Sequence, residues 1–529
     1  LGHQQVQGQD YAYTLQGWLK GVNSMGLTAS LDMGEDGSPS SLVARDAIGF
    51  QLNYFSGDYT AINNKNPFPG HSAFLPNGEY RPLYNGNISS MGVNIGRLNQ
   101  PQLYNYKYDQ LNRLTRMDTY RGFNTGTNNW NGLTATEDYK ERIRYDGNGN
   151  ILGYLRNGTT VDGGALQMDS LTYHYFVDAN GFKRNNRLRV VADGVGSTNY
   201  SVDLDNQVSR LANAADSNYV YDAIGNLIQD KTENITNIRW SVYGKILEIE
   251  KAAVNAVDVS KISYTYDAAG NRIGKRVQYQ GKPDQYTWYS RDASGNVMAV
   301  YEYTGSNLTT DTLWLREQHL YGSSRIGIWN RKINMDQPVP DGASINLLGT
   351  VQDGTFERCK KFFELSNHLG NVLATVSDKK IGIAGSSGNV DYFQAEVVSA
   401  SDYYPFGMLM PGRQVGMGLN IPGGEVTGTT EVNGYEVPVD LVLSSRTGVE
   451  PDEYVASNTI EISGEFESGE TDEFSAYIAD ETYAGTGNQY TGGGMYGTAG
   501  LYRYGFNGQE NDNEVKGTGG AAGLWDEDI

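Results

Sequence analysis

Three stretches of this chain have the spelling of chemical sites. Asp146-Gly-Asn148-Gly-Asn150 matches the opening of a calcium loop, in which alternating carboxylate and amide oxygens suit a hard cation. Its sixth position is Ile151, where that loop needs Gly, and its twelfth is Asn157, where a bidentate Glu is required, so a plain hairpin turn is the expected structure. Gly492-Gly-Gly494-Met-Tyr-Gly497 satisfies G-x-G-x-x-G, but a phosphate cradle needs a buried strand before it and a helix after it. The Ala484-Gly-Thr-Gly-Asn488 stretch ahead of it reads as linker. The five histidines (His3, His71, His174, His319, His368) lack metal-ligand spacing, and the lone Cys359 excludes an internal disulfide and argues against a cysteine metal cluster. With 62 acidic residues, chance carboxylate pairs are expected, so none is assigned acid–base work. The reading assigns no catalytic, cofactor or metal residue.

The elements that would have to position any site are announced by a repeated phrase: Tyr-x-Tyr-Asp, two free positions, Gly-Asn, then an alternating run. It stands as Tyr219-Val-Tyr221-Asp222-Ala-Ile-Gly225-Asn226 and as Tyr264-Thr-Tyr266-Asp267-Ala-Ala-Gly270-Asn271. Weaker copies begin at Tyr106-Lys-Tyr108-Asp109, Tyr145-Asp146 and Tyr289-Ser-Arg-Asp292. A degenerate one pairs Tyr173-His-Tyr175 with Asn186-Arg187-Leu188, and Trp240-Ser-Val-Tyr243-Gly244-Lys245 keeps the aromatic and the turn without the Asp.

Tyrosines two apart share one face of a strand, and aromatic residues suit a half-buried pleated surface. Asp followed by Gly three residues later fits a type I turn in which the carboxylate bonds the backbone ahead and Gly takes the strained exit. Each phrase therefore predicts a β-hairpin, with its tyrosines stacked on those of neighbouring hairpins. The Asp positions 109, 146, 222, 267 and 292 are unevenly spaced, which favours a winding sheet over a strict solenoid. The expectation is one continuous curved antiparallel sheet over about 101–413.

Composition agrees with such a sheet. Tyr outnumbers Phe by 38 to 15, Gly numbers 66, and the hydrophobic fraction is 38%. A side chain with an apolar body and a polar tip suits a wall wetted on both sides, so a thin shell is expected in place of a thick core. No apolar run is long enough for a membrane-spanning helix. A net charge of −21 argues against a general nucleic-acid or anionic-membrane binder. The charge is concentrated: 421–482 holds 15 Asp and Glu against the single Arg446, a net −14, as expected of an inserted module. Ile460, Ile462, Phe466, Phe474, Ala476 and Ile478 share one parity across an acidic turn at 468–470, which predicts a hairpin with one apolar face.

These phrases, with Phe363-Glu-Leu365-Ser-Asn367-His368-Leu369-Gly370-Asn371-Val372-Leu373 and Asp402-Tyr403-Tyr404-Pro405-Phe406-Gly407-Met408, closely resemble the RHS (YD-repeat) proteins and their repeat-associated core. Asp10-Tyr-Ala-Tyr13-Thr-Leu-Gln16-Gly17-Trp18-Leu-Lys20-Gly21 and Tyr502-Arg-Tyr504-Gly505-Phe506-Asn507-Gly508-Gln509-Glu510 resemble bacterial members. The resemblance covers nearly everything outside about 414–500. It implies a long β-strip wound into a hollow cocoon, which in many members encloses an attached C-terminal toxin. The family's core usually closes with an Asp-Pro segment linked to self-cleavage. No Asp-Pro dipeptide occurs here, so no catalytic residue carries over, and the chain is expected to be unable to cut itself, its late carboxylates (Glu510, Asp512, Glu514, Asp526, Glu527, Asp528) lying in a polar, Gly-rich tail. The chain begins at Leu1 without Met, as a processed product or part of a longer protein does. The stretch from Gly464 to Ile478 is similar to a short β-module of large secreted proteins in bacteria with type IX secretion, which implies an extracellular address.

The expected organisation is an all-β shell: a lead-in over 1–100, YD hairpins over 101–330, a core continuation over 331–413, an acidic β-module with a Gly-rich linker over 414–500, and the end of the core with a tail over 501–529. Its residues of interest are structural: Tyr108, Asp109, Tyr145, Asp146, Tyr221, Asp222, Gly225, Asn226, Tyr266, Asp267, Gly270 and Asn271. The expected function is a non-enzymatic shell, with toxin cargo and delivery machinery as partners and no nucleic acid. The alternatives are a surface recognition protein that uses the shell as a rigid scaffold, and a hydrolase hidden within it.

Overall fold

The computed structural model describes residues 1–335, 360–415, 424–462, 474–479, 502–511 and 515, apart from 40, 63–64, 77, 99, 162–163, 197–198, 201–203, 205, 212, 214–215, 254–257, 282, 306–312, 386–388, 433–434 and 444–452. Cys359, the glycine-rich stretch at 492–497 and the tail beyond 515 lie outside them.

The chain is all-β, built from antiparallel hairpins joined in sequence order. The first sheet runs β1 (Tyr11–Tyr13), β2 (Leu19–Val22), β3 (Ile48–Asn53), β4 (Ser90–Ile95), β5 (Gln102–Tyr108), β6 (Leu114–Arg121), β7 (Thr134–Tyr145), β8 (Ile151–Asn157), β9 (Gln167–Val177) and β10 (Lys183–Asp193). After the short helix α1 (Gln207–Arg210), a second sheet begins. It runs β11 (Tyr219–Tyr221), β12 (Leu227–Asp230), β13 (Ile235–Trp240), β14 (Ile246–Lys251), β15 (Val259–Tyr266), β16 (Arg272–Tyr279) and β17 (Gln285–Arg291), and continues through β18 (Val297–Thr304), β19 (Leu313–Tyr321), β20 (Arg325–Asn334), β21 (Lys361–Ser366), β22 (Val372–Ala384), β23 (Val390–Tyr403) and β24 (Leu409–Val415).

The hairpin strip is therefore as expected, but it is two sheets of ten and fourteen strands, not one. The break falls between β10 and β11, where the wide spacing of the Tyr-Asp phrases lies. Pairing also crosses residue 100 without interruption, β4 to β5, so the lead-in belongs to the first sheet.

The expectation of a uniformly thin wall fails where the two sheets meet. Every residue of β3 and β4 is buried. Their Ile48, Phe50, Leu52, Met91, Val93 and Ile95 share one core with Leu365, Leu373, Val376, Tyr404 and Met410 of the second sheet or its turns. Strands buried on both faces lose the period-2 alternation that marks a one-sided sheet, and burial of such side chains stabilises by roughly 1.5–3 kcal/mol each. Away from this region strands alternate, as in β15 and β19.

The acidic segment forms two small sheets: β25 (Gly424–Val432), β26 (Tyr435–Leu443) and β28 (Thr459–Ile462) in one, β27 (Glu453–Ala456) and β29 (Ser475–Ile478) in the other. The expected hairpin is corrected: its two arms, β28 and β29, pair in parallel with β26 and β27. Tyr454 and Val455 are both fully buried, one against Leu441, Leu443 and Phe474, the other against Val437 and Ala479, so β27 takes the central position. Ile462 and Ile478 are exposed. Gln414 and Val415 still pair with β23, so the large sheet runs past 413.

Candidate functional site

The repeated phrase builds one local device. Asp222 Oδ1 accepts the backbone N–H groups of Ile224, Gly225 and Asn226 at 3.0, 2.7 and 2.9 Å, and Oδ2 accepts the Asn226 amide at 2.9 Å. Asp267 repeats this with Ala269 and Asn271, and Asp109 does so with Leu111 and Arg113. The Asn271 amide and the turn N–H groups hold the Asp267 carboxyl below its ordinary range. Gly225 and Gly270 take φ of +111° and +86°, the left-handed exit that such a turn requires, and in the weaker copy Asn112 takes it instead. Ser241 replaces Asp without loss of the turn, its hydroxyl accepting from Tyr243 and Lys245.

At Asp146 the carboxylate accepts from Asn148, Asn150 and Lys183, so the calcium-like spelling there is a hairpin turn. The degenerate copy is displaced: its turn is Asp178 to Gly181, with a register shift before Leu188.

In these hairpins the strand register slips at the residue before the Asp, at Tyr108, Tyr145, Tyr221, Tyr266 and Arg291, and likewise at Trp240 before Ser241 and at Tyr321 before Gly322. A bulge leaves a backbone group out of the ladder. The next hairpin satisfies the carbonyl opposite it, and Tyr108 makes the same kind of bond to a carbonyl just before β4. Tyr108 donates its phenol to Ile88 O at 2.9 Å, Tyr145 to Leu114 O at 2.8 Å, Tyr175 to Ile151 O at 2.8 Å and Tyr266 to Ile246 O at 2.7 Å. Trp240 serves Leu227, Arg291 serves Arg272, Tyr321 serves Val297 and Tyr403 serves Val372.

The expected stacking of successive Tyr-Asp rings is thus corrected: what couples neighbouring hairpins is the hydroxyl at the ring's tip. Basic side chains add to it, Arg113 lying 4.7 Å from the centre of the Tyr145 ring and Arg187 5.7 Å from that of Tyr221. Tyr221 on β11 reaches Leu188 O on β10 at 3.0 Å, so the side-chain ladder crosses the gap where strand pairing stops.

A second constellation gathers charge. Residues 502–511 lie across the second sheet. Arg503 pairs with Glu302 at 3.1 Å, Glu317 at 3.2 Å and Glu510 at 2.8 Å. Tyr504 donates to Glu317 at 2.8 Å and stands 3.0 Å from His319 Nε2. Tyr289 donates to Glu510 at 2.8 Å, and Tyr502 to Glu364 at 2.7 Å. Gly505 O accepts from Val372 N, and Gly508 O from Arg325.

Glu510 is thereby not in a solvated tail, as the sequence suggested. It is half-buried, and although desolvation opposes its charge, Arg503, Lys275 and Arg272 hold its carboxyl far below the ordinary range. Sequence reasoning missed this network because its members are remote in the chain, Tyr289 and Glu510 lying 221 residues apart.

A third cluster lies near the start of the chain: the carboxylates of Asp10, Asp32 and Asp36 have oxygens within 4.8 Å of one another.

No family model and no curated protein matches the chain. Among solved structures, a crystal structure of TcdB2-TccC3-TEV matches at 12% identity over 77% of this chain and 16% of that one, with a TM-score of 0.38. A structure of the Photorhabdus luminescens Tc holotoxin pore matches at 13% identity over 76% and 17%, with a TM-score of 0.34. The chain spans less than a fifth of the length of either. No helix among the described residues is long and apolar enough to cross a membrane.

Proposed function

We propose that this chain is the wall of an RHS-type shell that encloses or presents a toxic effector in a secreted or surface-exposed bacterial system, and that it does no chemistry itself. The observation that carries the reading is that the hairpin strip is tied back on itself. Tyr104 and Arg413 meet on Asp402, Tyr404 donates to Asn157 O, and residues 502–511 bind across β16 to β22. A strip fastened at both ends suits containment better than a flat scaffold with free edges.

The repeated Tyr, Asp, Gly and Asn residues support the same reading, since their polar atoms are spent on turns and on the next hairpin. Cargo and delivery machinery are the partners this implies, and a secreted or surface location follows from the same reading. The test is to express the complete gene and treat the product with a nonspecific protease. A segment outside the wall that survives only while the wall is intact supports enclosure. A product whose non-wall segments are all cleaved at the rate of the unfolded chain overturns it. Incubated alone over a range of pH, the present chain is expected to keep its mass.

A further inference from the structure

The carboxylates of Asp10, Asp32 and Asp36 converge from two segments, one just before β1 and one in the loop that leads toward β3. Asp32 is fully buried and Asp36 is 6% exposed. A fourth carboxylate lies against them. Asp46, also 6% exposed, faces Asp32 and Asp36 from just before β3. Gln7 donates to its Oδ1 at 2.7 Å, while its Oδ2 has no donor. Asp32 Oδ1 and Asp36 Oδ2 are equally without one.

Buried carboxylate oxygens need a donor or a cation, because desolvation of an uncompensated charge is strongly unfavourable. Of the nearby basic groups, Lys65 and the Leu1 ammonium offset part of the charge on Asp10 and Asp36, but none donates to the three orphaned oxygens. Lys65 donates to the Asp32 carbonyl at 2.8 Å and to Glu35 at 2.9 Å, and the Arg45 guanidinium lies 3.6 Å from the centre of the Tyr392 ring. The backbone is shaped around the oxygens: a Cβ on Gly8 would lie 1.7 Å from Asp36 Oδ2, and one on Gly34 2.5 Å from Asp10 Oδ2.

We infer that Asp10, Asp32, Asp36 and Asp46 hold a calcium ion, which fastens the first strand pair and the 28–46 loop to β3. The donor set is all oxygen, with neither imidazole nor thiolate, which selects a hard cation over zinc or copper. Carboxylates drawn from three places suit the irregular, high coordination of Ca²⁺ better than the small octahedron of Mg²⁺, which retains its waters.

The test uses the full chain, stripped with a chelator and then titrated with CaCl₂ in calorimetry and thermal melts. Because the acidic segment at 421–482 can bind calcium loosely, Glu461→Gln serves as the control. One site with a raised melting temperature is expected, kept in Glu461→Gln and weakened at least tenfold in Asp46→Asn and in the less buried Asp10→Asn. The inference is overturned if calcium leaves the melt unchanged, if Mg²⁺ reproduces the effect at equal concentration, or if Asp46→Asn melts higher than the parent in chelator and calcium alike. That last result means protons, not a cation, neutralise the cluster.

Discussion

The phenol of Tyr104 on β5 donates to the carboxylate of Asp402 on β23, and the Arg413 guanidinium on β24 binds the same carboxylate at 2.8 Å. Strands about 300 residues apart in the chain are thus joined by one buried Asp. Burial, then the Asp402 charge, pushes the Tyr104 phenol well above its ordinary range, so it remains a donor at every physiological pH.

Replacing Asp402 with Ala removes the carboxylate that binds both the buried Arg413 cation and the Tyr104 phenol. Breaking a buried pair from one side costs about 3–5 kcal/mol. Hydrogen exchange is expected to accelerate together in β5, β23 and β24. Acceleration confined to β23 and β24 would show that the two sheets are held by the apolar core alone.

Tyr266→Phe removes one hydroxyl and leaves the Ile246 carbonyl without its donor. A loss of about 1 kcal/mol is expected in urea unfolding, the net value of a typical hydrogen bond. Tyr221→Phe should cost the same and also loosen the junction of β10 with β11, where no strand pairing compensates. An unchanged midpoint for both variants contradicts the ladder.

His71 supplies a pH dependence. Burial, and then the nearby Lys20 charge, lower its imidazole to about 3, and the neutral ring bonds the Ser90 hydroxyl at 2.7 Å. The unfolded chain takes up this proton below about 6.5, whereas the folded chain resists it until about 3. Stability from this group is therefore present above 6.5 and lost progressively as pH falls toward 3. Urea midpoints measured across that window should fall less steeply for His71→Asn than for the parent. Parallel curves would place the acid sensitivity elsewhere.

Arg503→Met leaves Glu302, Glu317 and Glu510 without their shared cation. Residues 502–511 are expected to undock, so that limited proteolysis cuts within them in the variant and spares them in the parent. Equal resistance in both would mean that Tyr502, Tyr504 and Val515 hold the segment by packing.

The hairpins were legible because each is local: Asp, Gly and the tyrosines of one phrase lie within seven residues, and turn chemistry acts at that range. The role of the second Tyr was half legible. Its period-2 placement shows a buried face, but the carbonyl it serves belongs to the preceding hairpin, and nothing within one phrase shows which neighbour its hydroxyl will reach. The break after β10 could not be read, since Tyr221 has the same phrase on either side of it. Glu510 was misjudged because its neighbours in sequence are polar, whereas its partners Tyr289, Lys275 and Arg503 are set by docking. Of the small acidic module, parity gave the strands but not their partners, because parallel pairing leaves no turn between them.

In the proposed shell the two sheets form a closed wall around a space. A cryo-EM density map of the complete gene product tests it most directly. A continuous wall in which β5 and β23 meet through Tyr104 and Asp402, surrounding a lumen that holds polypeptide density, is the predicted result. Two sheets with open edges and solvent on both faces would contradict it.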